Sequence, residues 1–196
     1  MLDTHARKIV QPLFEKGGTL CIRFGLSPNT LTLISFFLGV SAGFLVFFEL
    51  RVLAVSMLWL SGLFDVLDGT VARKTGKSSA LGTVMDVTFD RIVELAVVLG
   101  VALRTPEIAI QLLVLTSAII ISMTVFLTVG AVADKSGVKS FYYQAGVAER
   151  TEGFIMFSLM MLLPSYAGWI TMAFAAMILF TAGQRFVEAV RIFGDE

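Results

Sequence analysis

Long apolar runs constrain this chain more than any other feature of it. Stretches sufficient to cross a bilayer hydrocarbon core of about 30 Å, which takes roughly 20 helical residues, fall at about 31–48, 52–71, 81–103 and 108–133. Lipid offers no hydrogen bonds, so each backbone N–H and C=O in such a run must be satisfied within the protein, and the run becomes a helix. A last apolar region is interrupted by Pro164, Ser165 and Gly168. These residues signal a turn, and they divide the region into spans at about 148–163 and 169–187. With 57% hydrophobic residues and a mean hydropathy of +0.87, the chain is far more apolar than a soluble domain. The expectation is an all-α integral membrane protein, one membrane domain over residues 1–196 with six transmembrane helices.

Charge placement orients the spans. With the N-terminus inside, all of the 15 Lys and Arg residues except Arg51 and Arg104 fall on the inner side, and the cytoplasmic side is the one that collects cations. Both termini are therefore expected in the cytoplasm, with the protein in the cytoplasmic membrane. Ahead of the first span, residues 3–25 place Ile9, Val10, Leu13 and Phe14 on one helical face and Arg7, Lys8 and Lys16 on the other. That pattern suits an amphipathic helix lying in the inner interface, and the same stretch lacks the apolar core and cleavage site of a secretory signal peptide. A formal net charge of zero without a basic tail argues against nucleic acid as a partner. Cys21, the single cysteine, reads as a structural thiol; His5 has no ligand partner at helical spacing and is assigned no chemistry. Gly39 and Gly43 form a GxxxG pattern that permits close helix approach.

Four carboxylates break the apolar pattern. Asp65 and Asp68 lie late in the second span, and Asp86 and Asp90 early in the third, with only a short polar connection between the spans. At about 100° per residue, Asp65, Asp68, Gly69, Ala72 and Arg73 share one arc of roughly 140°, while Gly82, Asp86 and Asp90 follow at successive turns of one face. Joined so closely, the two helices should be antiparallel neighbours with these faces opposed. Each charge costs about 2.5–3.5 kcal/mol or more near the centre of a membrane helix, so the cluster requires a bound cation. Oxygen ligands without nearby His or Cys favour Mg²⁺, Mn²⁺ or Ca²⁺ over zinc. Two pairs of carboxylates suit a two-metal site that clamps a phosphoryl group. Gly69, Ala72 and Gly82 would leave room for a phosphate-bearing ligand, with Arg73, Lys74 and Lys77 to attract it.

The order Asp65-x2-Asp68-Gly69-x2-Ala72-Arg73-x8-Gly82-x3-Asp86-x3-Asp90 resembles the signature of the CDP-alcohol phosphatidyltransferase family. The six spans, the interfacial N-terminal helix and "LSPNTLTL" at the first span's entrance extend the resemblance along nearly the whole chain. It implies a membrane enzyme of phospholipid biosynthesis that moves the phosphatidyl group of CDP-diacylglycerol, or a related CDP-lipid, onto a small alcohol and releases CMP. By that resemblance Asp65, Asp68, Asp86 and Asp90 hold Mg²⁺ or Mn²⁺, and Asp90 is also the base for the acceptor hydroxyl. Pro28, Asn29, Thr30, Leu31, Gly69, Arg73 and Ser79 match positions at the CDP-lipid. Membrane lipids are the surroundings, and a homodimer is the usual assembly.

The acceptor is left open among glycerol phosphate, inositol phosphate, serine and similar alcohols. Members that use inositol phosphate carry a Lys-x-Arg at the end of the fourth span, where this chain has Gly130 and Val132; the departure counts against that acceptor. Lys135, Lys139 and Arg150 remain as alternative cations, and "AERTEGF" resembles the polar start of the fifth span in that branch. Two other classes fit the acidic cluster less well: an ion or proton transporter, which would carry acids in both halves of the chain, and a two-metal phospholipid hydrolase.

Overall fold

The computed structural model describes residues 2–135 and 146–194, with side chains from 11–133 and 146–194. Lys139 lies outside the described residues, as do the side chains of His5, Arg7, Lys8, Ile9, Val10 and Lys135. Among the described residues the chain forms seven α-helices: α1 (Leu2–Arg23), α2 (Pro28–Phe47), α3 (Arg51–Thr75), α4 (Ala80–Arg104), α5 (Ala109–Lys135), α6 (Arg150–Leu162) and α7 (Ala167–Phe193). Short 3₁₀ turns at Pro106–Ile108 and Pro164–Tyr166 lead into α5 and α7. In both, proline takes the first position, where a missing N–H costs nothing. The turn expected at Pro164 is thus present and separates α6 from α7.

Among the described residues four segments are long and apolar enough to cross a membrane: Pro28–Phe47, Arg51–Thr75, Pro106–Ala133 and Pro164–Phe193. Helix α4 has the length but carries Asp86, Asp90, Arg91 and Glu94, and α6 has only 13 residues. Helix α2 packs against both α3 and α4, α5 packs against α7, and α6 lies against α3 and α7. The main core is built where these groups meet, around Leu58, Val97, Leu115, Phe157 and Met160.

Small residues set the closest crossing. A Cβ added to Gly43 would strike the Ala96 carbonyl, and one added to Gly100 would strike the Gly43 carbonyl, so α2 and α4 cross backbone to backbone. Gly39 fits against Val93 and Ser61. The GxxxG pattern is therefore used, and its partner on α4 is Gly100. Polar side chains complete the joints. Ser35 donates to the Ser61 carbonyl at 2.9 Å between α2 and α3, and Trp59 Nε1 donates to Ser158 at 3.0 Å between α3 and α6.

Helix α1 docks through Gly17 against Leu67 and through Gly18 against Thr70 and Val71 of α3. Lys74 ties it further, donating to the Glu15 carbonyl at 2.8 Å and to the Thr19 hydroxyl at 2.9 Å. Cys21 is buried with Leu31, Leu67 and Val71 in a second small core, the structural place expected of it. Leu13 and Leu20 of α1 are exposed, which leaves apolar surface on this helix for lipid.

Gly43→Ala is expected to lower the thermal unfolding temperature in detergent, because overpacking costs about 1–3 kcal/mol and the obstructing atoms are backbone. Gly130→Ala, at a position with open space around it, should leave that temperature unchanged or raise it slightly.

Candidate active site

The turn between α3 and α4 brings the acids together. Helix α3 stops at Gly76, which takes the left-handed conformation (φ 64°) that glycine adopts without strain. Helix α4 begins at Ser79, whose hydroxyl accepts from the Gly82 N–H at 3.0 Å. With so short a reversal, the end of α3 faces the start of α4. One carboxylate oxygen each from Asp65, Asp68 and Asp86 then lie within 4.8 Å of one another. Asp65 and Asp68 are buried, and Asp86 is half-buried.

Two further residues hold the cluster. Arg150, the first residue of α6, pairs through its two terminal nitrogens with Asp65 and with Asp90. The segment before it is fixed to α7, where Thr181 accepts from the Ala148 N–H at 3.0 Å. Thr32, buried on α2, donates to Asp68 Oδ2 at 2.6 Å. Neither contact was visible in the signature. Thr32 could have been singled out as a polar side chain within an apolar span; Arg150 was expected only as an alternative cation for the acceptor, and its pairing with the acids depends on packing.

The positions matched to the CDP-lipid by resemblance form a second group beside the acids. Pro28 is the first residue of α2, Ser27 caps that helix, and Thr30 bonds back to Ser27 at 3.2 Å. Asn29 lies close to Gly82, its Oδ1 3.8 Å from where a Gly82 Cβ would stand. The N-termini of α2 and α4 are therefore adjacent, and each presents the positive end of a helix dipole. A Cβ on Gly69 would meet only the flexible Arg73 guanidinium, at 3.3 Å, and Arg73 donates to Thr70 at 3.3 Å. Ala72 supplies the carbonyl that receives the N–H groups ending α3. Leu31 is completely buried, so its side chain builds the wall behind this group and is not part of its surface. Ser79 has a structural duty as the α4 cap.

A cavity of about 350 Å³ opens beside Asp65 and Asp90, bordered by Arg91, Glu94, Arg150 and Arg185. Its far wall is apolar, formed by residues such as Phe157 and Phe174. Arg185 sits over the Phe126 ring, 5.4 Å from its centre.

The carboxylate cluster fits a divalent cation. Its ligands are hard oxygens, as Mg²⁺ and Mn²⁺ require, and their spacing allows them to converge on one ion. The Arg150 guanidinium is a single positive charge among four carboxylates and reaches only Asp65 and Asp90, so excess negative charge stays buried unless a cation joins it. Apolar helices carrying such a cluster at one end of the bundle define a metal-dependent integral membrane protein.

Its relationships narrow that class. Residues 25–181 match the family described as CDP-alcohol phosphatidyltransferase, and the chain belongs to this enzyme family. It is 37% identical over 103 residues to an archaetidylinositol phosphate synthase of Pyrococcus horikoshii, covering 53% of this chain and 54% of that one. It is 37% identical over 95 residues to a phosphatidylinositol phosphate synthase of Corynebacterium glutamicum, covering 48% and 43%. The chain thus spans about half the length of these two synthases. Against the inner membrane protein YnjF of Escherichia coli it is 31% identical, over 94% of this chain and 93% of that protein. The fold is that of the Mycobacterium tuberculosis phosphatidylinositol phosphate synthase solved with CDP-DAG bound, with a TM-score of 0.72, 24% identity, and 91% and 94% of the two chains covered.

Thr32→Val should weaken Mn²⁺ binding by about 10- to 100-fold, the usual effect of removing a residue that orients a metal ligand. Thr32→Ser should restore it. Titration of Mn²⁺ into detergent-solubilised protein, followed by electron paramagnetic resonance, measures both; equal affinities in all three proteins would remove Thr32 from this role.

Proposed function

We propose that this protein transfers the phosphatidyl group of CDP-diacylglycerol to a small phosphorylated polyol and releases CMP. The observation that carries this reading is the convergence of Asp65, Asp68 and Asp86 beside a cavity that also holds Asp90, Arg150 and Arg185. A donor site and an acceptor site then meet at one acidic cluster.

The donor's diphosphate lies against the adjacent N-termini of α2 and α4, where Pro28, Asn29, Thr30 and Ser79 surround it and helix dipoles favour negative charge. Gly69 and Gly82 allow close approach, and Arg73 turns from Thr70 to the phosphates. The acyl chains remain in the leaflet along the apolar helices. Divalent cations held by Asp65, Asp68 and Asp86, with Asp90 contributing to a second, would withdraw charge from the diphosphate and stabilise the departing phosphate.

The acceptor occupies the cavity. Its hydroxyl oxygen forms a bond to the phosphorus that bears diacylglycerol, while the bond from that phosphorus to the oxygen of the CMP phosphate breaks. CMP leaves with the bonding pair, and Asp90 takes the hydroxyl proton. Arg150 and Arg185 are placed to receive an acceptor phosphate. These cations come from α6 and α7, so Gly130 and Val132 on α5 do not exclude inositol phosphate. The archaetidylinositol phosphate and phosphatidylinositol phosphate synthases among the relatives support that acceptor class.

We read the protein as six membrane crossings preceded by the interfacial α1, with both termini in the cytoplasm. Support for α4 as a crossing comes from its far end. Arg104 pairs there with Glu49, which follows α2, so α4 runs the full depth of the α2–α3 pair. The cytoplasmic face is the one that carries the acidic cluster and the water-soluble substrates.

Purified protein with CDP-diacylglycerol and Mn²⁺ should release CMP with phosphorylated polyols and not in their absence. CMP release without any alcohol would show hydrolysis instead. Asp90→Asn should reduce turnover by at least about 100-fold, as expected for loss of a general base, while binding of the CDP-lipid persists. Undiminished turnover in that variant would rule Asp90 out as the base.

A further inference from the structure

Arg150 does more at the acidic cluster than add a positive charge. Its two terminal nitrogens are carried by one carbon, and one pairs with Asp65 Oδ2 while the other pairs with Asp90 Oδ1. The guanidinium thus gathers a carboxylate from α3 and one from α4 around a single cationic centre, using the planar fork that suits such oxygens. Asp90 stands outside the convergence of Asp65, Asp68 and Asp86, so Asp65 is the acid common to both groupings. A carboxylate has two oxygens, which lets Asp65 serve a cation in the three-acid cluster while Arg150 holds its Oδ2. A second cation held by Asp65 and Asp90 would need the oxygens that Arg150 engages. The two sides of this pairing differ in freedom: the Arg150 side chain is 32% exposed and that of Asp65 only 9%. Arg150 also borders the cavity, so the arginine is the partner with room to leave.

We propose that Arg150 and a second divalent cation exclude one another at Asp65 and Asp90, so that binding of this cation turns the Arg150 side chain out into the cavity. This inference rests on the reading of the four carboxylates as a two-metal site. Like charges drawn to the same oxygens repel strongly where little water screens them. A lysine in this place could yield by losing a proton, but a guanidinium stays charged and has to move. Charge balance points the same way. Four carboxylates are neutralised by two divalent cations, which makes Arg150 a surplus charge once both are bound; beside a single divalent cation it neutralises part of what remains. The backbone can stay where it is during the exchange. Thr181 holds the Ala148 N–H at 3.0 Å, and the Gly153 N–H donates to the Glu149 carbonyl at 2.9 Å in the first turn of α6. The change is therefore one of side-chain rotamer. Arg150 is in this respect a positioning residue, which keeps Asp65 and Asp90 ordered until the cation takes them over.

The test counts Mn²⁺ ions bound to the full detergent-solubilised chain by electron paramagnetic resonance, in wild type, Arg150→Met and Arg150→Lys. Wild type should bind a second ion more weakly than the first. Arg150→Met should tighten the second by about 10- to 100-fold, the range for releasing hydrogen bonds between charged groups. Its unfolding temperature in EDTA should nevertheless fall below that of wild type and recover when Mn²⁺ is added. A purely structural ion pair would lose stability and gain nothing in metal affinity. Arg150→Lys, whose single ammonium cannot fork across both carboxylates, should tighten the second ion to a smaller degree, and it carries the test if the methionine variant does not fold. In wild type, phenylglyoxal modification of Arg150, followed by peptide mass spectrometry, should rise as the second ion binds. A second ion held no more tightly in either variant would overturn the exclusion, and so would modification that is indifferent to Mn²⁺. One ion in wild type and two in the variants would support it in its strongest form. One ion or none in all three proteins would overturn the two-metal reading itself.

Discussion

Negative charge held in a medium that resists charge is the constraint on which the rest of this protein depends. Asp65 and Asp68 are buried at the end of α3 and face Asp86 from α4. Mutual repulsion and lost hydration both oppose that arrangement. Arg150 offsets part of it, Thr32 another part, and a divalent cation the remainder. The residues that stabilise the fold at this end are therefore those that prepare the site for phosphate chemistry. Removing the cation would leave the same carboxylates as the main source of strain.

The scaffold serves this cluster by being rigid where its helices cross. Gly43 and Gly100 let α2 and α4 touch along their backbones, and Ser35 joins α2 to α3. The three helices that carry Thr32, the first acidic pair and the second acidic pair are thereby fixed against one another. Helices α5 and α7 pack as a separate pair. Helix α6 bridges the two groups and carries Arg150 at its start. The cavity lies at this junction, lined from both groups of helices.

In the proposed reading the carboxylates and the helix N-termini around them act on a diphosphate common to every CDP-lipid donor. In that reading Arg150 and Arg185 meet a different ligand and are under no such common demand. A change at these positions alters what is accepted without touching the departing CMP.

The sequence alone determined the helical class, the separation of α6 from α7, the position of the acidic cluster and the kind of ion it holds. Each of these follows from local patterns: apolar run length, a proline-containing turn, and carboxylates at helical spacing across a short reversal. Other features required the tertiary structure. That Asp90 is turned to Arg150, that Leu31 faces inward while Asn29 lies at the surface, and that Gly100 is the partner of Gly43 depend on helices far apart in the chain. A spacing rule looked for acceptor cations on α5, with Arg150 as an alternative; which cations border the cavity, Arg150 from α6 and Arg185 from α7 among them, was decided by packing. Spacing within one helix fixes which side chains share a face; which face meets which is decided only when the helices pack.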